Sequence, residues 1–339
     1  MFLFRFADAR KLWPAGFRAS VETAAARGES VPAMADIAFV TGAHVDQTGR
    51  LFEAPIPGVS NPGAFVARPG GAGLNAASAT AALGVGTALA SPVGADENGR
   101  LIRRTLAQRG IADGLVEMAG ARTGVYTAIV APDGEMVIGV ADLAIYEAVD
   151  ADWLLRHCAE TLHPAALWFV NANLSAPTLA GLAAHKGKRR LAGATISPAK
   201  APRLRPVLNA LDFLFTNAAE ARTLTGKPGA DAAELVEALM AAGVRAGTLS
   251  QGGGPLHWWS GGARGALAPP AVARIVDVNG AGDALAGTVL AGLWRGDDFE
   301  TAARHGVAAA QLTLSTPEPF HAGLCRAMLE AIAPAPAAR

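Results

Sequence analysis

Cysteine is scarce in this chain, with only Cys158 and Cys325 among 339 residues. Two thiols cannot build the disulfide framework of a small secreted domain, and neither lies at the Cys/His spacing of a zinc site. The expected setting is therefore reducing and cytoplasmic. Charge is scarce too. Charged residues make up 17% of the chain, below the roughly 25% of an average soluble domain. Basic and acidic residues balance at 29 each, which leaves no basic excess to neutralise a phosphate backbone and argues against a nucleic-acid polymer as partner. A small neutral or anionic ligand fits better. No uninterrupted apolar run reaches the roughly eighteen residues of a membrane span. The N-terminal stretch carries Arg5 and Asp8 where a signal peptide needs an unbroken apolar segment, so no export or import signal is read there. No internal repeat at a fixed period is found.

Apolar residues are plentiful, at 51%, and so is glycine, at 39 residues; this is the composition of a compact, core-rich protein. Residues 1–34 read as an N-terminal extension, because Met34 immediately precedes the first convincing strand, and 334–339 read as a Pro/Ala-rich tail. Between them, over 35–333, short buried strands alternate with helices. The strands are expected over Ile37–Val40, Thr87–Ser91, Leu167–Asn171, Leu211–Phe215 and Gly247–Ser250. The helices are expected over Gly73–Leu83, Gly99–Arg109, Asp152–Leu162, Ala176–His185, Ala218–Thr225, Asp231–Ala242 and Gly282–Trp294. That order predicts a mostly parallel sheet covered on both faces. Two stretches, about 45–68 and 123–141, break the rhythm with strand-like alternation and turn signals but no helix. The second reads as a hairpin, Val125–Val130 with Glu135–Val140, joined across Asp133-Gly134. Together they predict a small projecting sheet, the way a lid is built.

The strongest chemical signal is Asp277-Val278-Asn279-Gly280-Ala281-Gly282-Asp283, which opens a helix whose apolar Leu285, Val289 and Leu293 recur at helical spacing. Free backbone N–H groups at such a terminus attract an anion, and Gly280 and Gly282 let a phosphate approach the backbone. Asp283 lies in the first turn, where the helix dipole favours its ionised form and where it can accept a proton from an attacking alcohol. The plainer reading is that it only satisfies a helix N-terminus.

Pro69-Gly70-Gly71-Ala72-Gly73-Leu74-Asn75 opens a second helix, made of very small residues, and Asn75 offers donors and an acceptor to a polyol. Packing alone is the alternative. Gly71, Gly73 and Ala76 also satisfy the loose dinucleotide pattern of a nicotinamide-dependent oxidoreductase, but no clear first strand precedes them and no acidic residue closes a strand about twenty positions on. Asn217-Ala218-Ala219-Glu220, after a strand, suits either a hydrated Mg²⁺ beside phosphates or a helix-capping box. Ser250 and Gly252 suit a nucleotide loop or a plain turn. Asp46, just beyond the first strand, can accept two sugar hydroxyls, whereas His44 reads as structural.

In this order the segments resemble the PfkB, or ribokinase-like, carbohydrate kinase family over about residues 36–331. The resemblance implies a three-layer α/β/α domain with a mostly parallel central sheet and a small β-sheet lid. It implies transfer of the γ-phosphate of ATP to a primary hydroxyl of a sugar or nucleoside. Asp283 would be the base, with Gly280, Ala281 and Gly282 as the anion hole. Asp46, Gly70, Gly71, Asn75, Asp142 and Asn173 would bind substrate, and Asn217, Ser250, Gly252 and Asn279 would bind ATP. Glu220 and Asn217 would meet Mg²⁺ through water, and Asp277 a monovalent cation such as K⁺. Lid sheets of this family often pair between subunits, which implies a homodimer. Ser60-Asn61-Pro62-Gly63, Asp133-Gly134-Glu135-Met136, Asp142 and Leu249-Ser250-Gln251-Gly252-Gly253 resemble the pseudouridine kinase subgroup. Three positions depart from the pattern: Ala144 where that subgroup has Asn, Ala72 where many ribokinases have Lys, and Asn279 where Thr is usual. The last leaves backbone N–H groups untouched. A sugar-binding protein without turnover on the same fold is the other alternative.

Overall fold

The computed structural model describes residues 35–272 and 274–336; the extension expected over 1–34 and the end of the tail lie outside them. The strands are β1 (Ile37–Val40), β2 (His44–Leu51), β3 (Gly63–Gly70), β4 (Thr87–Gly94), β5 (Ala112–Met118), β6 (Val125–Val130), β7 (Met136–Asp142), β8 (Leu167–Asn171), β9 (Arg190–Ala194), β10 (Phe213–Asn217), β11 (Ala246–Ser250), β12 (Leu256–Ser260) and β13 (Ala263–Leu267). The helices are α1 (Ala72–Ala82), α2 (Glu97–Gln108), α3 (Ala151–His157), α4 (Ala159–Leu162), α5 (Ala176–His185), α6 (Ala218–Thr225), α7 (Ala232–Ala241), α8 (Ala281–Arg295), α9 (Phe299–Leu314) and α10 (Arg326–Ile332).

Nine strands form one sheet in the order β13-β12-β11-β10-β9-β8-β1-β4-β5, parallel from β11 through β5 with an antiparallel hairpin, β12–β13, at one edge. Successive side chains point to opposite faces, and here both faces are buried, which is why the inner strands are continuous apolar runs. In β1, Ile37 and Phe39 join a core with α1, α2, α8 and α9, while Ala38 and Val40 join a second core with α3 to α7. The molecule thus has the expected three layers, α/β/α, about a mostly parallel sheet. Among the described residues no helix is long and apolar enough to cross a membrane.

Four strands make the small sheet, in the order β3-β2-β6-β7. Its outer pairs are antiparallel and its central pair, β2 with β6, is parallel. The hairpin expected across Asp133-Gly134 forms, with Glu135 N–H donating to the Asp133 carboxylate at 3.0 Å. Four expectations need correction. The strand expected over Thr87–Ser91 runs on to Gly94. The strand expected over Leu211–Phe215 runs instead over Phe213–Asn217, and the single helix expected over Asp152–Leu162 breaks at Cys158. Asp142, expected beyond the hairpin, is the last residue of β7 and pairs with Val125.

Parallel strands leave β1 in both directions: β4 and β5 lie on one side and β8 onward on the other. At such a reversal the loops beyond the carboxyl ends diverge and leave a crevice. The helix that opens into it, α1, is buried on nearly every side, and its small residues let α8 cross at backbone distance. A β-carbon at Gly287 would overlap the Ala76 carbonyl, and Thr80 Oγ1 donates to the Gly287 carbonyl at 3.0 Å. This crossing sets Asn75 beside Asp283, one turn before Gly287.

Candidate active site

A cavity of about 450 Å³ opens at the carboxyl ends of the strands, within the usual size of a small-molecule site. Its wall includes Asn217, Glu220, Ser250, Asn279, Gly280 and Asp283. Gly280 precedes α8 with φ of 80°, and a β-carbon there would overlap the Pro319 carbonyl. The first hydrogen bond closing this helix runs from Ala284 N–H to Gly280 O at 2.8 Å. The N–H groups of Ala281, Gly282 and Asp283 therefore have no intrahelical acceptor, and Gly280, Gly282 and Asp283 line the cavity, so this helix terminus is open to an anion. Gly282 is exposed with open space where a side chain would stand.

Asp283 accepts a hydrogen bond from Asn75 Nδ2 at 2.9 Å. The helix dipole alone favours an ionised carboxylate, but burial outweighs it. The Asp283 carboxyl is pushed up to about 7 by desolvation, opposed by the Asn75 hydrogen bond and reinforced by the negative charges of Asp46 and Glu220. Such a group gains and loses its proton near neutral pH, the property of a general base. The other end of the Asn75 amide, Oδ1, is buried with no partner in the protein. A buried orphan acceptor costs free energy unless something donates to it, and a ligand hydroxyl fits.

Asp46 lies within β2, in the small sheet, six positions after the end of β1 of the large sheet. Its Oδ1 is 3.1 Å from His44 Nε2, and its carboxylate packs so closely on Gly70 that any β-carbon there would overlap it. His44, read as structural from sequence, is thus a direct partner of a candidate sugar ligand. Gly71 forms the turn into α1 with φ of 97°, where a β-carbon would lie 2.9 Å from the Gly42 carbonyl and 3.0 Å from the His44 ring.

Asn217 and Glu220 form the capping box of α6, Asn217 Oδ1 accepting from Glu220 N–H at 2.9 Å and Glu220 Oε2 from Asn217 N–H at 3.1 Å. The same Glu220 oxygen accepts from Thr195 Oγ1. Burial nonetheless raises the Glu220 carboxyl above its usual range, since these hydrogen bonds only partly offset desolvation. The structural alternative therefore holds for both residues, and both also line the cavity. Asp277 Oδ1 accepts from Asn279 N–H at 2.9 Å. Gly252, with φ of 61°, follows β11 by two positions, and Ser250 ends that strand.

Asp142 is exposed at the end of β7. Asn173 is buried beyond β8, where its Oδ1 accepts from Lys200 Nζ at 2.6 Å. Burial, with the nearby Arg203 charge, depresses the Lys200 ammonium below its usual range. The Lys200–Asn173 contact was not legible in the sequence because it spans 27 positions without a motif. Ile196, with φ of 71°, also borders the cavity. Such a conformation is costly for a β-branched side chain, and no sequence signal marks it.

The glycine pattern at Gly71, Gly73 and Ala76 does not follow a buried parallel strand. It follows β3, an edge strand of the small sheet, so the strand–turn–helix context of a dinucleotide site is missing. Comparison with known proteins agrees. The pfkB family carbohydrate kinase profile matches residues 43–321. Over 284 residues the chain is 28% identical to the pseudouridine kinase of Escherichia coli (strain K12), covering 82% of this chain and 90% of that protein. A carbohydrate kinase from Agrobacterium tumefaciens is 34% identical, and its solved structure superposes with a TM-score of 0.79 over 89% of this chain and 98% of that one. Ribokinase from Arabidopsis thaliana, solved with ribose and ATP, is 20% identical and shares the fold at a TM-score of 0.75 over 88% of this chain and 99% of that one. With the carboxyl-edge cavity, the free helix amides and a base-like aspartate in place, the chain belongs to the pfkB family of carbohydrate kinases and is a phosphotransferase acting on a sugar hydroxyl.

Proposed function

We propose that this protein transfers the γ-phosphate of ATP to the primary hydroxyl of a nucleoside, with pseudouridine as acceptor and pseudouridine 5′-phosphate as product. The observation that carries the reading is the Asn75–Asp283 pair beside the free amides of α8. A hydroxyl held by Asp46 and by the orphan Asn75 Oδ1 stands next to a carboxylate ready to take its proton. As the hydroxyl oxygen attacks the γ-phosphorus in line, its proton passes to Asp283 and ADP leaves. The N–H groups of Ala281, Gly282 and Asp283 stabilise charge on the transferring phosphoryl group. The resemblance to the Escherichia coli pseudouridine kinase supports the acceptor. A second reading, another sugar as acceptor, is favoured by a 41% identity over 95 residues to fructokinase-1 of Oryza sativa subsp. japonica.

Mg²⁺, when bound with ATP, neutralises phosphate charge. Glu220 and Asn217 stand at the cavity wall to meet its water shell. Among the described residues no three His, Cys, Asp or Glu side chains cluster for a metal, so the donors fit an ion held mainly by phosphates and water. Asp277 and the Asn279 backbone are the residues for a monovalent cation.

Coupled ATP turnover against pseudouridine, uridine, adenosine, ribose, fructose and 2-keto-3-deoxygluconate, with and without K⁺, tests the proposal. Turnover confined to pseudouridine is the expected result. Turnover confined to one of the sugars would retain the Asp283 chemistry and discard the nucleoside.

We also propose that the small sheet joins two copies of the chain. The row Phe65–Gly49–Ile129–Ile138 crosses all four strands on one face, and Phe65 and Ile138 are 67% and 56% exposed. A second copy removes that apolar area from water. Light scattering should give a dimer for the native chain and a monomer for Phe65→Lys/Ile138→Lys; a native monomer at micromolar concentration would refute the pairing.

A further inference from the structure

The opposite face of the small sheet carries a different set of side chains. Residues directly opposite across strands share a face, and Arg68, Asp46, Tyr126 and Ala141 form one such row across β3, β2, β6 and β7. The next row on this face is Val66, Thr48, Ala128 and Gly139. Arg68 shows which way the face looks. Its Nη1 donates to the Pro317 carbonyl at 3.0 Å and its Nε lies 3.6 Å from Glu318, beside the Pro319 carbonyl that packs on Gly280. The face is turned toward the N-terminus of α8.

Tyr126 is one of two tyrosines in the chain, and its ring lies along this face. A β-carbon at Gly139 would stand 2.7 Å from the Tyr126 oxygen and 3.3 Å from Cζ, so only glycine leaves room for the ring to lie there. The hydroxyl reaches Met136 Sδ at 3.4 Å. Tyr126 is part-exposed although the sheet covers the side of the ring over Gly139. Its remaining surface lies on the face it shares with Arg68, the side chain that reaches Pro317 and Glu318 beside the N-terminus of α8. Asp46 is its direct neighbour, one strand spacing or about 4.8 Å away.

We infer that Tyr126 sets the acceptor class, by stacking on the planar ring carried by the sugar that Asp46 holds. A carboxylate that takes two hydroxyls, adjacent to a flat aromatic surface with small residues around it, matches a furanose diol with an attached base. A simple monosaccharide has nothing to lay on that ring. The inference rests on the nucleoside reading above and assigns it a residue.

Steady-state kinetics of Tyr126→Ala and Tyr126→Phe test it. Stacking of a base on an aromatic side chain predicts that Tyr126→Ala raises KM for pseudouridine about tenfold, equivalent to about 1.4 kcal/mol. The kcat and the KM for ATP should stay within about threefold, and the affinity for ribose, as substrate or competitive inhibitor, should not change. Tyr126→Phe, which keeps the ring, should restore the native KM. If Tyr126→Ala leaves KM for pseudouridine unchanged, or weakens ribose equally, Tyr126 is only a structural residue and the inference fails alone. If the native protein phosphorylates a monosaccharide and no nucleoside, the substrate reading fails and takes this assignment with it.

Discussion

Replacing Asp283 by Asn lowers kcat by about 10²- to 10⁴-fold and leaves the KM for ATP nearly unchanged, the loss expected when a positioned general base is removed. Geometry makes the test clean. An amide has the shape of the carboxylate and can keep a hydrogen bond with Asn75, so the helix terminus and its free N–H groups stay in place. The pH profile supplies the second half of the same prediction. With the Asp283 carboxyl pushed up to about 7 by burial, the base is protonated below that pH. The native kcat/KM should fall about tenfold per unit as pH drops below neutrality and level off above it, and the residual activity of the variant should lack this limb. Stability moves the other way. The folded protein binds this proton more tightly than the unfolded chain does, so the contribution is complete below about pH 4 and is lost as pH rises through about 7. Asp283→Asn, which carries no charge to desolvate, should therefore melt higher than the native protein at pH 8. A variant that keeps most of its kcat would remove Asp283 from the mechanism.

Gly280→Ala is the second large effect. The residue sits at φ of 80°, where a side chain costs roughly 1–2 kcal/mol, and its β-carbon would overlap the Pro319 carbonyl. The chain relieves that overlap by moving the segment around Pro319 or by rotating the first turn of α8. Either displaces the N–H groups that face the cavity. Loss of one such donor typically costs about 10²- to 10³-fold in kcat, and a displaced turn shifts several together. Thermal melting should also drop. Gly282→Ala provides the contrast: nothing stands within van der Waals reach of its added carbon, so its melting temperature should be unchanged or higher. Equal destabilisation by the two substitutions would mean that the overlap at Gly280 is relieved elsewhere.

Ile37–Val40, Leu167–Asn171 and Ala176–His185 were legible to the residue, because a strand buried on both faces reads as a near-continuous apolar run and Ser175 caps the helix. Strand β9, Arg-Leu-Ala-Gly-Ala, was not. It lacks β-branched side chains and is a strand because β8 and β10 flank it, with Gly193 small enough to admit Leu211. The β12–β13 hairpin does carry a local signal, Gly261-Gly262 between two strand runs, both at positive φ. So does α9, capped by Asp298.

The site divides along the same line. Gly280, Gly71 and Asp283 stand out in sequence because a backbone turn and a helix terminus demand particular residues at particular offsets. Lys200 on Asn173, and Arg68 on Pro317, are made by the folded shape alone and leave no spacing to read. The capping box of Asn217 and Glu220 is an intermediate case, a pattern with a complete structural explanation at a position that also faces the cavity.

Strand β3 ends at Gly70 and helix α1 begins at Ala72, so Gly71 is the whole connection between the small sheet and the helix that carries Asn75. One residue has no slack. If the small sheet tilts, that single residue carries the movement to the first turn of α1, which holds Asn75 and its hydrogen bond to Asp283. The sheet and Asp283 are linked through one residue, and one more residue between Gly70 and Ala72 would give the sheet slack to move without the helix.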